Sequence, residues 1–222
     1  MRKFLIALVI LVALLVVLDR AGLFIAQREI GNRVQSAYGL SSKPDVSVHG
    51  FPFLTQVASG HYQQINVSIK SASADGVQLE NIDATFTGVH APLSLIFGQS
   101  SNGVTAGNAT GTALLPFSEV RRRLPAGIRI GPDGSSDLRV TGTGAYSAVR
   151  GTAKLGVSKS GITVTPQNLS IAGVSARSLA SRFTFTIPMG ALPLHLTVTA
   201  VHVTQGGLVV DAAGHNIQFV SS

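Results

Sequence analysis

The chain has 222 residues and a net charge of +7, enough length for one domain with a real core or two small ones. Charged residues are 12% of it, about half the usual share, and 24 glycines with no Trp and many Val, Thr and Ser predict a β-rich body. The absence of cysteine excludes disulfide staples and a lipoprotein attachment site, so stability has to come from burial.

Arg2 and Lys3 precede an unbroken apolar run from Phe4 to Leu18, and Asp19-Arg20 then separates it from a second apolar stretch, Ala21 to Ala26. Basic residues ahead of a long apolar core are the layout of a secretory targeting segment. The first run spans about 22 Å as a helix, short of the roughly 30 Å of bilayer hydrocarbon. Extended to Ala26 it crosses, provided Asp19 and Arg20 sit near the outer interface, where long side chains snorkel. With no clear A-x-A cleavage signal after Leu18, residues 1–26 read as an uncleaved single-pass signal anchor in the cell membrane, with secretion after cleavage as the alternative. Arg20, Arg28 and Arg33 balance Arg2 and Lys3, so basic residues alone do not fix orientation. The extreme N-terminal position of the run favours a body on the extracytoplasmic, periplasmic side.

Ile25, Ile30, Val34 and Ala37 continue near helical spacing, so residues 27–39 are predicted as a juxtamembrane helix with Gly39 as C-cap, broken by Ser41 to Pro44. Residues 40–222 read as a single β-rich domain. Strands are signalled at Val46-Val48, Ile65-Ile69, Val77-Phe86, Leu138-Val140, Leu155-Val157, Ile162-Val164, Leu169-Ile171, Phe183-Ile187, Leu194-Val198, Leu208-Val210 and Ile217-Phe219. Parity flips between Leu79 and Ile82, which predicts a bulge near Glu80-Asn81. Turns fall at Asp75-Gly76, Pro132-Asp133-Gly134, Ser160-Gly161, Gly206-Gly207 and Ala213-Gly214, giving a meander of antiparallel strands. Pro116 to Leu124 reads as a short helix closed by Pro125.

Catalytic motifs are absent. The six histidines show no H-x-H and no H-E-x-x-H, and no nucleophile elbow, Walker A or dinucleotide fingerprint occurs, so neither a metal, a cofactor nor a catalytic residue is predicted. Residues 111–222 carry ten basic groups against four acidic, a net of +6. Beside an anchored membrane that excess suggests anionic lipid headgroups; export and the lack of any nucleic-acid module argue against nucleic acid.

A binding surface is the remaining reading. Phe51-Pro52-Phe53-Leu54 places two aromatics around a proline at a strand end, and Pro92 to Phe97 is a compact apolar segment. Phe51, Phe53, Leu54, Leu95, Ile96, Phe97 and Phe117 are the candidate lipid contacts, and Arg121, Arg122 and Arg123, beside Phe117 and Leu124, the candidate headgroup contacts. The same phenylalanines would serve equally as ordinary core, and three arginines as a solvated face.

The block Val46-Ser47-Val48-His49-Gly50-Phe51-Pro52-Phe53-Leu54-Thr55-Gln56, followed by Ile65-Asn66-Val67-Ser68-Ile69 and by Leu192-Pro193-Leu194 with a strand-turn-strand from Gly207 to Gly214, resembles the actinobacterial phospholipid-binding family that includes the mycobacterial lipomannan elongation factor. The resemblance covers nearly the whole exported part, and the G-F-P-F-L-T piece is its most specific element. It implies an α+β, mostly β fold: a long curved antiparallel sheet wrapped around helix, similar to tubular lipid-binding (BPI-like) domains, after the N-terminal transmembrane helix. It also implies an envelope protein that binds phospholipid or phosphoinositide and supports synthesis or movement of lipid-linked glycans. The expectation is a membrane-anchored, non-enzymatic protein holding anionic phospholipid in an apolar groove, with the cytoplasmic membrane and envelope glycan synthesis proteins as partners. A non-catalytic scaffold for envelope glycan synthesis is the alternative, and an enzyme on lipid-linked glycans the third reading.

Overall fold

The computed structural model describes residues 2–74, 76–92, 103–122, 124, 126–134, 137–144, 147–158, 161–175, 184–188 and 192–219. It is mostly β and antiparallel, with one long N-terminal helix and short helices between strands: the β-rich body expected from composition and alternation, and the α+β class implied by the resemblance. Helix α1 (Arg2–Ala37) is continuous through Asp19-Arg20 and joins the two apolar stretches and the juxtamembrane segment into 36 residues. It ends where expected. Gly39 takes a φ of 58°, which a glycine adopts without a Cβ penalty, and Leu40 N–H closes back on the Gln35 carbonyl at 3.0 Å.

Then follow β1 (Asp45–His49), α2 (Phe53–Ser59), β2 (His61–Ala74), β3 (Val77–His90), β4 (Val104–Pro116) and α3 (Phe117–Arg122). The second half holds β5 (Ile128–Asp133), β6 (Asp137–Gly142), β7 (Val149–Ser158), β8 (Gly161–Pro166), β9 (Ser170–Ile171), β10 (Val174–Ser175), β11 (Phe185–Pro188), β12 (Thr197–Val203) and β13 (Gly207–Phe219). Among the described residues the strands form two sheets. One is ordered β1-β2-β3-β4-β13-β12; the other runs β10-β9-β7-β6-β5, with β8 pairing β7 and β11.

The break predicted in β3 is present. Asn81 adopts a φ of 46°, Glu80 and Asn81 are both exposed, and burial changes parity there, from Leu79 to Phe86. Strands β4 and β5 are additions to the sequence reading, and three of its local features are changed. Helix α2 occupies what read as the end of a strand, because Gly50 and Pro52 turn the chain before Phe53. Strand β12 starts only at Thr197, since Leu194 and His195 form a left-handed turn. Ala213-Gly214 is no turn: β13 runs through it, with Ala213 paired to Thr197.

The chain packs as two compact units. The first comprises Met1–Ile69, Ala84–Ala109 and His215–Ser222; the second Lys70–Asp83 and Thr110–Gly214. The first unit buries Val46, Val48, Phe53, Tyr62, Val67, Phe86, Val89 and Ile217, and α1 lies against β1 and α2. The second has a continuous aliphatic core in which Leu115, Val120, Leu138, Ala153, Ile162 and Leu208 are fully enclosed.

Candidate functional site

The G-F-P-F-L-T-Q block is a clamp that fastens α2 to α1, and each of its residues has a local reason. Gly50 sits at a φ of 111°, which favours glycine, and a Cβ there would come within 2.6 Å of the Gln56 amide and have to displace it. A cis Phe51–Pro52 bond follows. Phe53 is 4% exposed, lies under α1 beside Gly22, and has its ring 6.3 Å from Tyr62, whose hydroxyl burial pushes above its ordinary pKa. Thr55 Oγ1 donates to the Pro52 carbonyl at 2.8 Å. Gln56, buried, accepts the Gln63 N–H at 3.0 Å and so ties α2 to β2.

The key partner comes from α1. Helix α2 has no side-chain cap of its own at Pro52, and Leu54 N–H instead donates to Asp19 Oδ1 at 2.8 Å. An N-terminal N–H that a local Ser or Asp would ordinarily satisfy is thus capped from 35 residues away. Asp19 is 2% exposed, and its other oxygen accepts from Arg20 at 2.6 Å. Arg20 in turn lies 5.1 Å from the centre of the Phe51 ring, a cation–π distance. The two charges that interrupt the apolar run are therefore the joint between helix and body.

Of the lipid contacts expected from sequence, Phe51, Phe53 and Leu54 are brought together at this joint. Phe51 is 64% exposed and Leu54 41%, while Phe53 is enclosed by protein. Phe117, in the second unit, joins the aliphatic core and is also buried, so lipid could reach it only if its neighbours parted. Leu95, Ile96, Phe97 and Arg123 lie outside the described residues. Arg121 and Arg122 are exposed on α3, and Arg122 forms an ion pair with Glu119 at 2.8 Å.

A second basic surface was not read from the sequence. Strands β5, β6 and β7 turn Ile130, Leu138, Val140, Val149 and Ala153 into the core, and so present the alternate residues Arg129, Arg139, Arg150 and Lys154 to solvent. Register aligns Arg129 with Thr141 and Gly131 with Arg139, then Thr141 with Arg150 and Arg139 with Thr152. A cleft of about 710 Å³ opens between Arg129 and Arg139, over Gly131 and beside Thr141 and Gln205. Arg139 is held by Asp133 at 2.8 Å, whereas Arg129 has no ion pair among the described residues. Period-two alternation of arginine with buried aliphatics was the available signal: Arg129 stands between two isoleucines, and Arg139 between Leu138 and Val140.

Among the described residues, no group of three His, Asp or Glu side chains gathers in metal-binding geometry. His61 and His90 face each other with ring centres 4.5 Å apart, and His202 meets Asp211 at 3.1 Å.

An apolar N-terminal helix, a first unit clamped to it and a basic face on β5–β7 are thus the features a lipid could meet. The model of the LmeA-like phospholipid-binding family matches residues 17–213, nearly the whole chain beyond the bare part of α1, and the protein belongs to that family. No curated protein and no solved structure matches the chain.

Proposed function

We propose that the protein is a membrane-anchored, extracytoplasmic, non-catalytic phospholipid-binding protein that supports lipoglycan assembly or lipid movement in the cell envelope. Family membership carries the lipid-binding part of this reading. The anchor is supported by α1: Phe4 to Leu18 are exposed, and this is a helix long and apolar enough to cross a bilayer. Retention of the anchor is supported by Asp19. Cleavage beyond it would remove the group that caps α2 and strip Gly22 from Phe53. Anionic phospholipid, phosphoinositides included, is the ligand class favoured by the arginine-bearing face of β5–β7. There Arg129, which has no ion pair among the described residues, and the neighbouring Thr141 and Gln205 supply phosphate donors. Arg121 on α3 is a further candidate headgroup contact, and the acyl chains would lie along apolar surface, gaining roughly 0.8 kcal/mol per buried methylene.

The test uses the chain begun at Asp19, which keeps the clamp and drops the bare apolar run. Mass spectrometry of its organic extracts is expected to recover phospholipid in near-stoichiometric amount. Binding to phosphatidylglycerol vesicles should exceed binding to phosphatidylcholine vesicles and weaken with salt. Arg129→Ala should lower the anionic-vesicle affinity about three- to tenfold, the size expected of one arginine at an anionic membrane surface, and leave stability within about 0.5 kcal/mol. Extracts free of lipid, together with equal binding to both vesicle types, would overturn the reading.

A further inference from the structure

Within one short block, two apolar side chains are left bare while the one between them is buried. Phe53 points under α1, but Phe51 and Leu54 stay 64% and 41% exposed. A soluble surface tolerates such residues singly; here they are not isolated. Leu18, Phe24 and Ile25 of α1 are exposed at the same level of the helix, at 51%, 58% and 66%. Leu11 and Leu15 lie eight and four residues before Asp19, on the stripe that carries the clamp, so the docking face runs straight into the uncovered apolar half of α1. Arg20, paired with Asp19 and stacked on Phe51, puts a half-exposed cation at the boundary between apolar and polar surface.

We propose that Phe51 and Leu54 insert into the headgroup–acyl boundary of the leaflet from which α1 emerges, with Arg20 meeting lipid phosphate. The first unit then rests on the bilayer at a second point and does not hang from a free helix. The inference rests on α1 spanning the membrane. Its physical basis is continuity: the apolar surface of Phe51 and Leu54 adjoins apolar surface that the bilayer already covers, and an aromatic beside an arginine is the composition of a membrane interface.

The chain contains no Trp, so single substitutions report local depth without background. Full-length Phe51→Trp, Leu54→Trp, Leu11→Trp and Tyr38→Trp variants would each be reconstituted in phosphatidylcholine–phosphatidylglycerol vesicles containing lipids brominated high or low on the acyl chain. Leu11→Trp marks the middle of the apolar run, and Tyr38→Trp lies about 27 Å beyond Arg20 along the helix. All four positions are exposed, so the substitutions do not disturb a core. Phe51→Trp and Leu54→Trp are expected to be quenched by the shallow bromines at least about twofold more than Tyr38→Trp, and Leu11→Trp by the deep ones. Leu11→Trp quenched with Phe51→Trp and Leu54→Trp emitting as in water overturns the inference and leaves the anchor intact. Equal quenching of Tyr38→Trp overturns it as well. Failure to quench Leu11→Trp overturns the anchor reading, and this inference with it.

Discussion

The two halves of α1 share one uninterrupted backbone and meet opposite surroundings. From Phe4 to Leu18 the helix carries only apolar side chains, and all of them are exposed. From Asp19 onward it is part of the body: Asp19 caps α2, Gly22 receives Phe53 and Leu54, and Gly31 admits Lys43 and Pro44. The change occurs at a single residue. A carboxylate inside a hydrophobic run reads as a defect when the run is treated alone. It becomes a joint once the orphan N–H of Leu54 is placed beside it. The lesson is that the bare half is stabilised by whatever solvent surrounds it, whereas the clamped half is stabilised by specific contacts that substitutions can remove one at a time.

The largest expected effect comes from taking the wedge out of the clamp. Phe53→Ala removes a ring that is 4% exposed, between α1 and Tyr62, and should destabilise the first unit by about 3–5 kcal/mol. Phe51→Ala, two residues away and largely exposed, should change stability by no more than about 0.5 kcal/mol. Thermal denaturation of the full chain in detergent micelles measures both. Similar losses for the two would mean that the block is not divided into a buried wedge and an exposed rim.

Next is the turn that aims the wedge. Gly50→Ala puts a methyl group into the Gln56 amide and holds a non-glycine residue at a φ of 111°, a cost of about 1–3 kcal/mol. Asp19→Ala acts on the joint itself, and its readout is local. The Leu54 amide, now uncapped, should exchange with deuterium about tenfold faster, while amides in β6 and β7 stay unchanged. Asp19→Asn, which keeps an acceptor oxygen, should restore most of that protection. Unaltered exchange at Leu54 in Asp19→Ala would show that the two halves of α1 are not separated by this contact.

Much of this was legible from the chain. Alternation located most of the strands, parity placed the break at Asn81, Gly39 marked the helix end, and the Gly50–Gln56 block pointed to the family. What escaped is non-local. Helix α2 carries no N-capping side chain in its own sequence, because its cap lies on α1, and Phe53-Leu54 beside a proline looks the same in a strand end as in a first helical turn. Strand β4 was missed because Gly107 and Gly111 interrupt its alternation. The arginines of β5–β7 are scattered in sequence and meet only through register, whereas those at 121–123 are consecutive and so legible at once. Adjacent charges on a helix diverge; alternate charges on paired strands converge.

The smallest expected effect is the sharpest test of how closely the clamped half is fitted. Glycine inside a helix costs about 0.5–1 kcal/mol relative to alanine, so Gly22 is retained at a loss unless the neighbouring helix needs the space. A Cβ at Gly22 would lie 3.6 Å from Leu54 Cδ2 and 3.8 Å from Phe53 Cε1, ordinary contact distances. Gly22→Ala should therefore be neutral or stabilising, by up to about 1 kcal/mol, because the propensity gain is kept and no atom has to move. Gly22→Leu should reverse the sign, since a longer side chain would press on Leu54 and the Phe53 ring. Leu15→Ala, on the bare half, should leave the body's melting temperature unmoved, because Leu15 is half exposed and lies one turn before the first clamped residue. A destabilising Gly22→Ala would place α2 closer to α1 than ordinary contact and make close approach, in addition to the Asp19 cap, a condition of the joint.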